Sequence, residues 1–427
     1  MKLILKIVLF FLFSITFNIS KADNLTESLK AAYLNNHKLN AERANVRAVN
    51  QRKKEALSEF MPSVTISGYV SEQDNTKGTE SNFEPSEQSL LIEQKIFQGL
   101  GGVANYKKQK MEYSLAEFKL KKIEQEILLS AVEAHLDFLL SKKKLNINMA
   151  NIDLLDRQVE TDKNRLEKGE ISLADLAQSE ASLAGARAKL ITAQNDLVTS
   201  KVNFEKIVGQ KPRENIYDNK LNIIWLPRSL SEAYKISKGE NPDLQIASLE
   251  FEKSKQDVLI AGSDFAPTAT LSYKLAEQDD MSSTITERTQ QTLKATATWP
   301  LFSGGSNYFS LREAQENRNN KELLLKDSQK LVETEVAKAW SNYQSSKSVL
   351  NSIRAQVEAA EIANEGITLE YESGGNKRTT LDVIQSSAML LESKINLAES
   401  EKNFLISQFN VLSGIGRLTA KQLKLIH

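Results

Sequence analysis

Apolar and polar residues alternate with period two in several short stretches of this chain, and this period predicts β-strands. The alternation is clear in SVTISGYV (63–70), in TATLSYKL (268–275) and in TLKATATW (292–299). Such a pattern is typical of a sheet with one apolar and one polar face. We expect two pairs of strands, linked by long polar loops over Asp74–Ser86 and Asp279–Gln291.

Helix-forming sequence fills two much longer stretches. Residues 103–168 contain neither Pro nor Gly, and residues 306–373 contain only Gly366. Because Pro and Gly cost a helix interior about 3 and 1 kcal/mol, each stretch is predicted to form one helix. At about 1.5 Å per residue, such a helix is roughly 100 Å long. Glycine turns at Gly169 and Gly374 are expected to follow.

Shorter helices are expected on either side of these elements. A first helix opens each half of the chain, over Leu25–Glu59 and Leu230–Gly262, and a return helix leads back to Gly209 or Gly416. Apolar positions in the first long helix form one stripe (Leu120, Ile123, Ile127, Ala131) and a second set outside it (Phe118, Leu128, Phe138). Two apolar seams favour a wall of helices over the alternative, an isolated antiparallel hairpin.

The second half of the chain repeats the first at an offset of 205 residues. The tripeptide Phe60-Met61-Pro62 aligns with Phe265-Ala266-Pro267, and Ile96-Phe97-Gln98-Gly99 aligns with Leu301-Phe302-Ser303-Gly304. The register slips by two near the end, where Asp175 aligns with Asp382. This period is far longer than that of a solenoid, so we predict two copies of one large unit.

A secretory signal peptide is predicted at the N-terminus. Lys2 and Lys6 flank the start of the apolar residues 7–17, and Ser20 and Ala22 are small residues at a cleavage site. No later run of about 20 apolar residues follows, so no transmembrane helix is expected. The predicted organisation is a signal peptide (1–22), a first repeat (23–209), a linker (210–228), a second repeat (229–416) and a C-terminal tail (417–427).

The composition excludes several classes of function. Lys plus Arg equals Asp plus Glu, at 55 each, so no basic field exists to bind nucleic acid. The chain has no Cys, which removes disulfides, thiolate metal sites and a lipidated cysteine. Its three His residues are far apart in sequence. We therefore predict no catalytic residues, no metal site and no cofactor.

One glycine cluster matches the outline of a dinucleotide loop. Gly99-x-Gly101-x-x-Ala104 follows a β-rich run and precedes helix-forming sequence. Its copy, LFSGGS, lacks the third position, and no second strand ends in an acidic residue at the ribose-binding distance. We interpret both clusters as structural strand–helix junctions, marked by Phe97 and Gly99 and by Phe302 and Gly304. A nucleotide-dependent enzyme is the alternative that this interpretation rejects.

Two features of the predicted strands favour a membrane barrel over a soluble sandwich. The polar face is rich in Thr, Ser and Lys, which suits a wet lumen, and aromatic residues gather at the strand ends nearest the helices. These aromatic residues are Phe60, Phe97, Phe265, Trp299 and Phe302. A spanning barrel needs about eight strands or more and no open edge. Several chains must therefore contribute strands to it.

The paired segments FMPSVTISG and FAPTATLSY, the paired Phe-x-Gly junctions and the paired tips RLEKGEISLADL and YESGGNKRTTLDV resemble the TolC-type outer membrane efflux family. The resemblance covers 24–418. It implies an α+β membrane protein in the outer membrane of a Gram-negative bacterium: a homotrimer with a twelve-stranded barrel in outer-membrane lipid and a periplasmic α-barrel. It further implies a passive exit duct for efflux or type I secretion, docked to a periplasmic adaptor and an inner-membrane pump.

The resemblance also implies a gate at the periplasmic helix tips. Tyr371 and Arg378 match the tyrosine and the arginine of the family's closing network, Asp382 matches its constricting aspartate, and Asp175 is the counterpart in the first repeat. Gln385 stands where the family's best-known member has a second acidic ring. By the same resemblance, the tip glycines Gly169 and Gly374 are candidate adaptor contacts.

Another class of function remains open at this point. A soluble periplasmic coiled-coil adaptor or tether would explain the long helices. It would not explain the duplicated, alternating strands flanked by aromatic residues.

Overall fold

The computed structural model describes residues 24–73, 84–213, 226–282, 285–373 and 378–425. The predicted signal peptide lies outside the described residues. In chain order, the elements are α1 (Leu25–Asn35), α2 (His37–Ser58), β1 (Ser63–Val70), β2 (Ser86–Gln98), α3 (Gly101–Glu167), α4 (Leu173–Val208), α5 (Leu230–Glu240), α6 (Pro242–Ser263), β3 (Thr268–Ser282), β4 (Ile285–Thr298), α7 (Ser306–Glu372) and α8 (Thr380–Gly414).

The order of elements is the same in the two halves of the chain. Two helices, two strands and two longer helices follow one another from α1 to α4, and again from α5 to α8. This order is the one expected from two copies of one unit. The duplication itself and the boundaries of the repeats stay predictions.

The prediction of one uninterrupted long helix in each half is confirmed. Helices α3 and α7 have 67 residues each, and α7 continues through Gly366. The return helices α4 and α8 have 36 and 35 residues. The predicted pair of apolar seams is also observed in α3. Ile127 and Leu128, adjacent in sequence and therefore on different sides of the helix, are 8% and 0% exposed.

The prediction of a single first helix in each half is wrong. Each first helix is broken into two, between α1 and α2 at Asn36 and between α5 and α6 at Asn241. Both Asn residues have extended backbones, and the Asn241 side chain accepts hydrogen bonds from the backbone N–H groups of Asp243 and Leu244. An Asn side chain that caps a new helix competes with continuation of the old one. Pro242, at the first position of α6, fits this helix start.

The four strands form one antiparallel sheet in the order β1-β2-β3-β4. Its register places Val64, Ile92, Tyr273 and Leu293 in one row across the sheet. The neighbouring row contains Ser63, Glu93, Ser272 and Lys294. Because successive rows point to opposite faces, the sheet has the apolar face and the polar face that the alternation predicted.

The prediction of a long loop over Asp279–Gln291 is wrong. Strand β3 continues to Ser282 and β4 begins at Ile285, so most of the expected loop is paired strand. These residues are polar on both faces, and hydrophobic alternation therefore gave no signal for them. The other expected loop, Asp74–Ser86, falls mostly on residues outside those described.

The described residues divide into two compact units, each of which draws on both predicted repeats. The sheet unit comprises the described residues within 41–123 and 236–334 and includes all four strands. The helical unit comprises those within 1–40, 124–235 and 335–427.

Ion pairs connect the helices of the sheet unit. Lys108 of α3 pairs with Asp257 of α6 at 2.6 Å, and Lys253 of α6 pairs with Glu112 of α3 at 2.8 Å. Each such pair is partly exposed and contributes little stability on its own. Together they align α6 with the start of α3.

Aliphatic and aromatic side chains form the core of the helical unit. Phe204 of α4 and Phe409 of α8 are both fully buried, and Phe138 of α3 packs against Phe204 with ring centroids 6.0 Å apart. None of the helices in the described ranges combines the length and the hydropathy needed to cross a membrane.

A buried histidine lies in the same core. His135 is 1% exposed, its ring lies 6.2 Å from that of Phe204, and its Nδ1 shares a hydrogen bond of 2.9 Å with the Ser28 hydroxyl. Burial penalises the charged imidazolium and lowers the pKa of His135 from 6.5 to about 4. The folded protein therefore binds this proton less readily than the unfolded chain does.

We predict that His135 makes the protein less stable in mild acid. Its contribution is fully present above pH 6.5 and is lost as the pH falls towards 4, since the unfolded chain takes up the proton first. At about 1.4 kcal/mol per pKa unit, the loss amounts to ~3 kcal/mol. Thermal unfolding in detergent, followed by circular dichroism from pH 4.5 to 7.5, measures it. His135→Gln should remove this dependence, whereas substitution of the exposed His37 by Gln should keep it; equal pH dependence in all three proteins would contradict the prediction.

Candidate functional site at the helix tips

The two return helices begin in the same way. At the start of α4, the Ser172 hydroxyl accepts a hydrogen bond from the backbone N–H of Asp175, and the Asp175 carboxylate accepts one from the backbone N–H of Ser172. Thr379 and Asp382 form the same reciprocal pair at the start of α8. These capping boxes satisfy N–H groups that would otherwise lack partners at the helix ends.

The capping hydrogen bonds also keep both carboxyl groups charged. Hydrogen bonds from the Ser172 side chain and backbone lower the pKa of Asp175, and those from the Thr379 backbone and side chain lower the pKa of Asp382. Each carboxylate therefore carries its negative charge at neutral pH, next to a helix N-terminus that favours it. The two predicted site residues that align in the sequence thus have the same local role.

A buried polar cluster joins the four helix ends within the helical unit. The Asp162 carboxylate of α3 accepts hydrogen bonds from the Tyr371 hydroxyl of α7 at 2.8 Å and from the Ser179 hydroxyl of α4 at 2.5 Å. The Tyr371 hydroxyl also lies 3.0 Å from the Thr380 hydroxyl of α8. Asp162, Ser179, Tyr371 and Thr380, which we call the tip cluster, are between 0% and 4% exposed.

The tip cluster lies on apolar seams rather than on the solvated sides of its helices. Leu155, Val159, Asp162 and Leu166 follow one another at alternating spacings of four and three. Leu155 and Val159 belong to a small buried core with Leu176, Leu183 and Ala186 of α4, and Leu166 packs against it. Asp162 is therefore a polar residue at a core position, where a carboxyl group without hydrogen-bond partners would be strongly unfavourable.

Further side chains complete the surroundings of Asp162 and Tyr371. Gln158 donates a hydrogen bond of 2.9 Å to the Asp162 carboxylate. The guanidinium of Arg165 lies over the Tyr371 ring, 4.4 Å from its centroid, a geometry that allows a cation–π contact. Burial, together with the Asp162 carboxylate, raises the pKa of Tyr371 above its ordinary value, so the hydroxyl keeps the proton that it donates.

The other predicted gate residues lie outside the tip cluster. The Arg378 guanidinium pairs with the Glu370 carboxylate at 2.6 Å, on the exposed side of the tip. Within the described part of the chain, no hydrogen bond links Tyr371 to Arg378, Asp382 or Asp175. Gln385 is exposed, one turn after Asp382.

The two tip glycines differ in what the structure describes. Gly169 ends α3 in the left-handed region, with φ of 71°, and hydrogen bonds from Gly169 and Glu170 back to Leu166 and Arg165 close the turn. A left-handed residue at this position explains why the turn has Gly. Gly374 lies outside the described residues.

The glycine cluster at the first strand–helix junction is packed against the protein's own chain. Gly99 has φ of 57°, and a Cβ there would lie 2.5 Å from the Ala266 Cβ and 2.7 Å from the Ser263 carbonyl oxygen. A Cβ at Gly101 would overlap the Ser263 hydroxyl. Residues at and just after the end of α6 thus occupy the space next to these glycines where a bound pyrophosphate would have to lie.

The second junction is more open. Gly304 has φ of 62°, but a Cβ there would have no atom within 4 Å. Phe97 and Phe302 are 42% and 87% exposed. Trp299, also exposed, donates an indole hydrogen bond of 3.1 Å to the Phe265 carbonyl oxygen. The aromatic residues at the helix side of the sheet are therefore all at least two-fifths exposed.

Sequence reasoning missed Asp162, Ser179 and Thr380. A detectable signal existed, because Asp162 interrupts an apolar series with heptad-like spacing. Over the described ranges, no group of three or more His, Asp or Glu side chains is arranged to hold a metal ion.

The sequence and the fold match a known class of protein. The sequence profile of the outer membrane efflux protein family matches residues 29–210 and 233–417. The chain belongs to this family. Members of this family are outer-membrane channels that extend into the periplasm, and they are not enzymes. The protein is therefore located in the outer membrane and extends into the periplasm.

Curated relatives and solved structures agree with this assignment. The chain is 25% identical to the outer membrane efflux protein BepC of Brucella suis, over 95% of this chain and 88% of BepC. It is 22% identical to the outer membrane protein TolC of Escherichia coli, over 95% of this chain and 85% of TolC. Identity to the alkaline protease secretion protein AprF of Pseudomonas aeruginosa is 20%, over 83% of this chain and 75% of AprF. The crystal structure of CusC has the same fold, with a TM-score of 0.83, 15% identity and 92% of each chain covered.

We predict that the Tyr371 hydroxyl stabilises the tip locally. Tyr371→Phe leaves the buried Asp162 carboxylate without one of its donors, at a cost of about 1–3 kcal/mol. Hydrogen exchange at the end of α7 and the start of α8 should therefore speed up roughly ten-fold. Tyr343→Phe is the matched control, because the Tyr343 ring stacks on Phe404 elsewhere in the helical unit. If Tyr371→Phe changes exchange at the tip no more than the control does, the assignment is wrong.

Proposed function

We propose that the protein is a passive exit duct in the outer membrane, formed by three copies of the chain. Each copy supplies one four-stranded sheet, and three sheets close a twelve-stranded barrel in outer-membrane lipid. The helices form an α-barrel in the periplasm. Membership of an outer membrane efflux family supports this function. A soluble coiled-coil tether, the other function considered, has no support from the family.

The sheet is the observation that carries this proposal. Its apolar face exposes large side chains, with Ile66 81% and Leu293 71% exposed. Its outer strands, β1 and β4, have one neighbour each among the described strands. Lipid can cover the apolar face but cannot satisfy open strand edges, and these edges therefore require partner strands from other copies.

We further propose that the tip cluster is the closing element of the duct. It ties the α3–α4 pair to the α7–α8 pair through buried hydrogen bonds, which water can replace when the pairs separate. Arg378 and Glu370 add an exposed ion pair at the same end. The charged Asp175 and Asp382, next to the uncharged Gln385, then line the entrance.

An adaptor and an inner-membrane pump are the proposed partners. Near the tips, α3 and α4 enclose a groove of about 750 Å³ with the apolar residues Val159, Leu183 and Ile191 along it and charged residues at its sides. This groove and the turn at Gly169 suit a helical partner, whose apolar face fits such a surface. The proposed units of the duct are the two repeats, 23–209 and 229–416, with the linker 210–228 between them.

Planar bilayer recording tests the duct and its closing element together. We expect the purified protein to form pores of low conductance, and we expect Tyr371→Phe and Arg378→Ser to increase that conductance several-fold by loosening the tips. Tyr343→Phe should behave like the unchanged protein. Absence of pores in all four proteins would contradict the duct. Pores whose conductance is the same in all four would contradict the gate alone.

A further inference from the structure

The polar face of the sheet has an uneven distribution of charge. Over the part with regular register, it carries four cationic side chains and two carboxylates. The cationic residues are Lys95, Lys274, Arg288 and Lys294, and the acidic residues are Glu87 and Glu93. The surplus is therefore two positive charges per chain, although the chain as a whole has a formal net charge of zero.

The opposite face of the same strands carries charge of the other sign. Glu277, Asp279 and Glu287 lie on this face, at the end of the β3–β4 pair farthest from the helices. Arg288 and Glu287 are adjacent in sequence and point to opposite faces. Charge is thus sorted by face within one hairpin, and the cationic surplus belongs to the polar face alone.

One carboxylate on the polar face is already neutralised. The Lys274 ammonium pairs with the Glu87 carboxylate at 2.5 Å, and Gln278 donates a hydrogen bond of 2.7 Å to the same group. In the register, Ala276 and Ser89 lie between the two partners, and they are only 2% and 7% exposed. Small residues at these positions leave room for the long side chains above them.

The remaining cationic side chains are free to act on solutes. Lys95, Arg288 and Lys294 are exposed, and within the described ranges none of them has an ion pair or a side-chain hydrogen bond to an acidic group. Glu93 shares a row with Lys294, but β3 lies between them, which separates their backbones by roughly 10 Å. Past the regular register, the Asp280 carboxylate accepts a hydrogen bond from the backbone N–H of Glu84.

We propose that this face makes the outer part of the duct selective for anions, so that the preferred cargo is negatively charged. The proposal rests on the proposed duct, in which the polar faces of three sheets surround the lumen and, over the part with regular register, together carry a surplus of six positive charges. Like-charged walls around a water-filled passage raise the local concentration of the opposite ion. Arg288 and Lys294 contribute two of the three charges that a variant can remove without breaking an ion pair seen in the described residues.

The selectivity is expected to depend on salt in a characteristic way. The Debye length is about 10 Å at 0.1 M salt and about 30 Å at 0.01 M. Wall charges therefore influence the centre of a wide pore much more strongly in dilute salt. A preference that grows as the salt concentration falls is the signature of wall charge rather than of a narrow binding site.

Reversal potentials in KCl gradients test the proposal. We would measure them in a Tyr371→Phe background that also carries Asp175→Asn and Asp382→Asn, so that neither a closed entrance nor its carboxylates dominate the conductance. The pores should prefer Cl⁻ over K⁺, and more strongly in dilute KCl. Arg288→Gln and Lys294→Gln should each weaken the preference, and the double variant should lose it. Lys294→Arg, which keeps the charge, and Glu287→Gln, which changes one charge on the opposite face, should leave the preference unchanged.

Each other outcome has a distinct meaning. Pores that prefer K⁺, or pores whose reversal potential does not change in the double variant, would overturn anion selectivity and leave the duct intact. If Glu287→Gln shifts the reversal potential as much as Arg288→Gln does, charges on either face of the sheet affect the selectivity equally. That result would also overturn the proposal. Absence of any pore would instead overturn the proposed duct.

Discussion

The open edges of the four-stranded sheet constrain everything else in this protein. Strands β1 and β4 each pair on one side only among the described strands, while one face of the sheet exposes large aliphatic side chains such as Ile66 and Leu293. In water, exposure of the apolar face is unfavourable. In lipid, the unpaired backbone groups at the strand edges are unfavourable. Only a closed sheet in a membrane resolves both conflicts. The proposed oligomer and the proposed lumen follow from this single incompleteness.

The helix tips pose the opposite problem, because their capping groups have hydrogen-bond partners and the proposed gate requires the helices to separate. Capping boxes hold the starts of α4 and α8 by bonds within each helix. Asp162, in contrast, lies at a position of an apolar seam and accepts hydrogen bonds from Ser179 and Tyr371, which belong to two other helices. Such a cluster gives up part of the stability of an apolar core for contacts that a small displacement can break. A core position filled by a carboxylate therefore suits a gate better than one filled by leucine.

Much of the fold could be predicted from the sequence, and the errors have physical causes. The absence of Pro and Gly from 103–168 was sufficient to predict α3, because nothing else interrupts a helix so reliably. The break at Asn36 was missed, since an Asn can cap a helix or simply lie within one. The extension of β3 was missed because its residues are polar on both faces. At the tips, Asp175 and Asp382 could be predicted because they align in the two repeats of the sequence. The signal for Asp162 was different, since it is an acidic residue within an apolar series.

Cross-linking between strand edges tests the central claim most directly. The natural chain has no Cys, so one Cys in place of Ile66 in β1 can be combined with one Cys at each outward-facing position of β4 in turn. A disulfide forms only where the Cβ atoms lie within about 3.5–4.5 Å, and the scan therefore finds the register of any β1–β4 contact. The account predicts links between chains, giving covalent dimers and trimers and nothing larger. Links confined to single chains, or no link at any position, would contradict it.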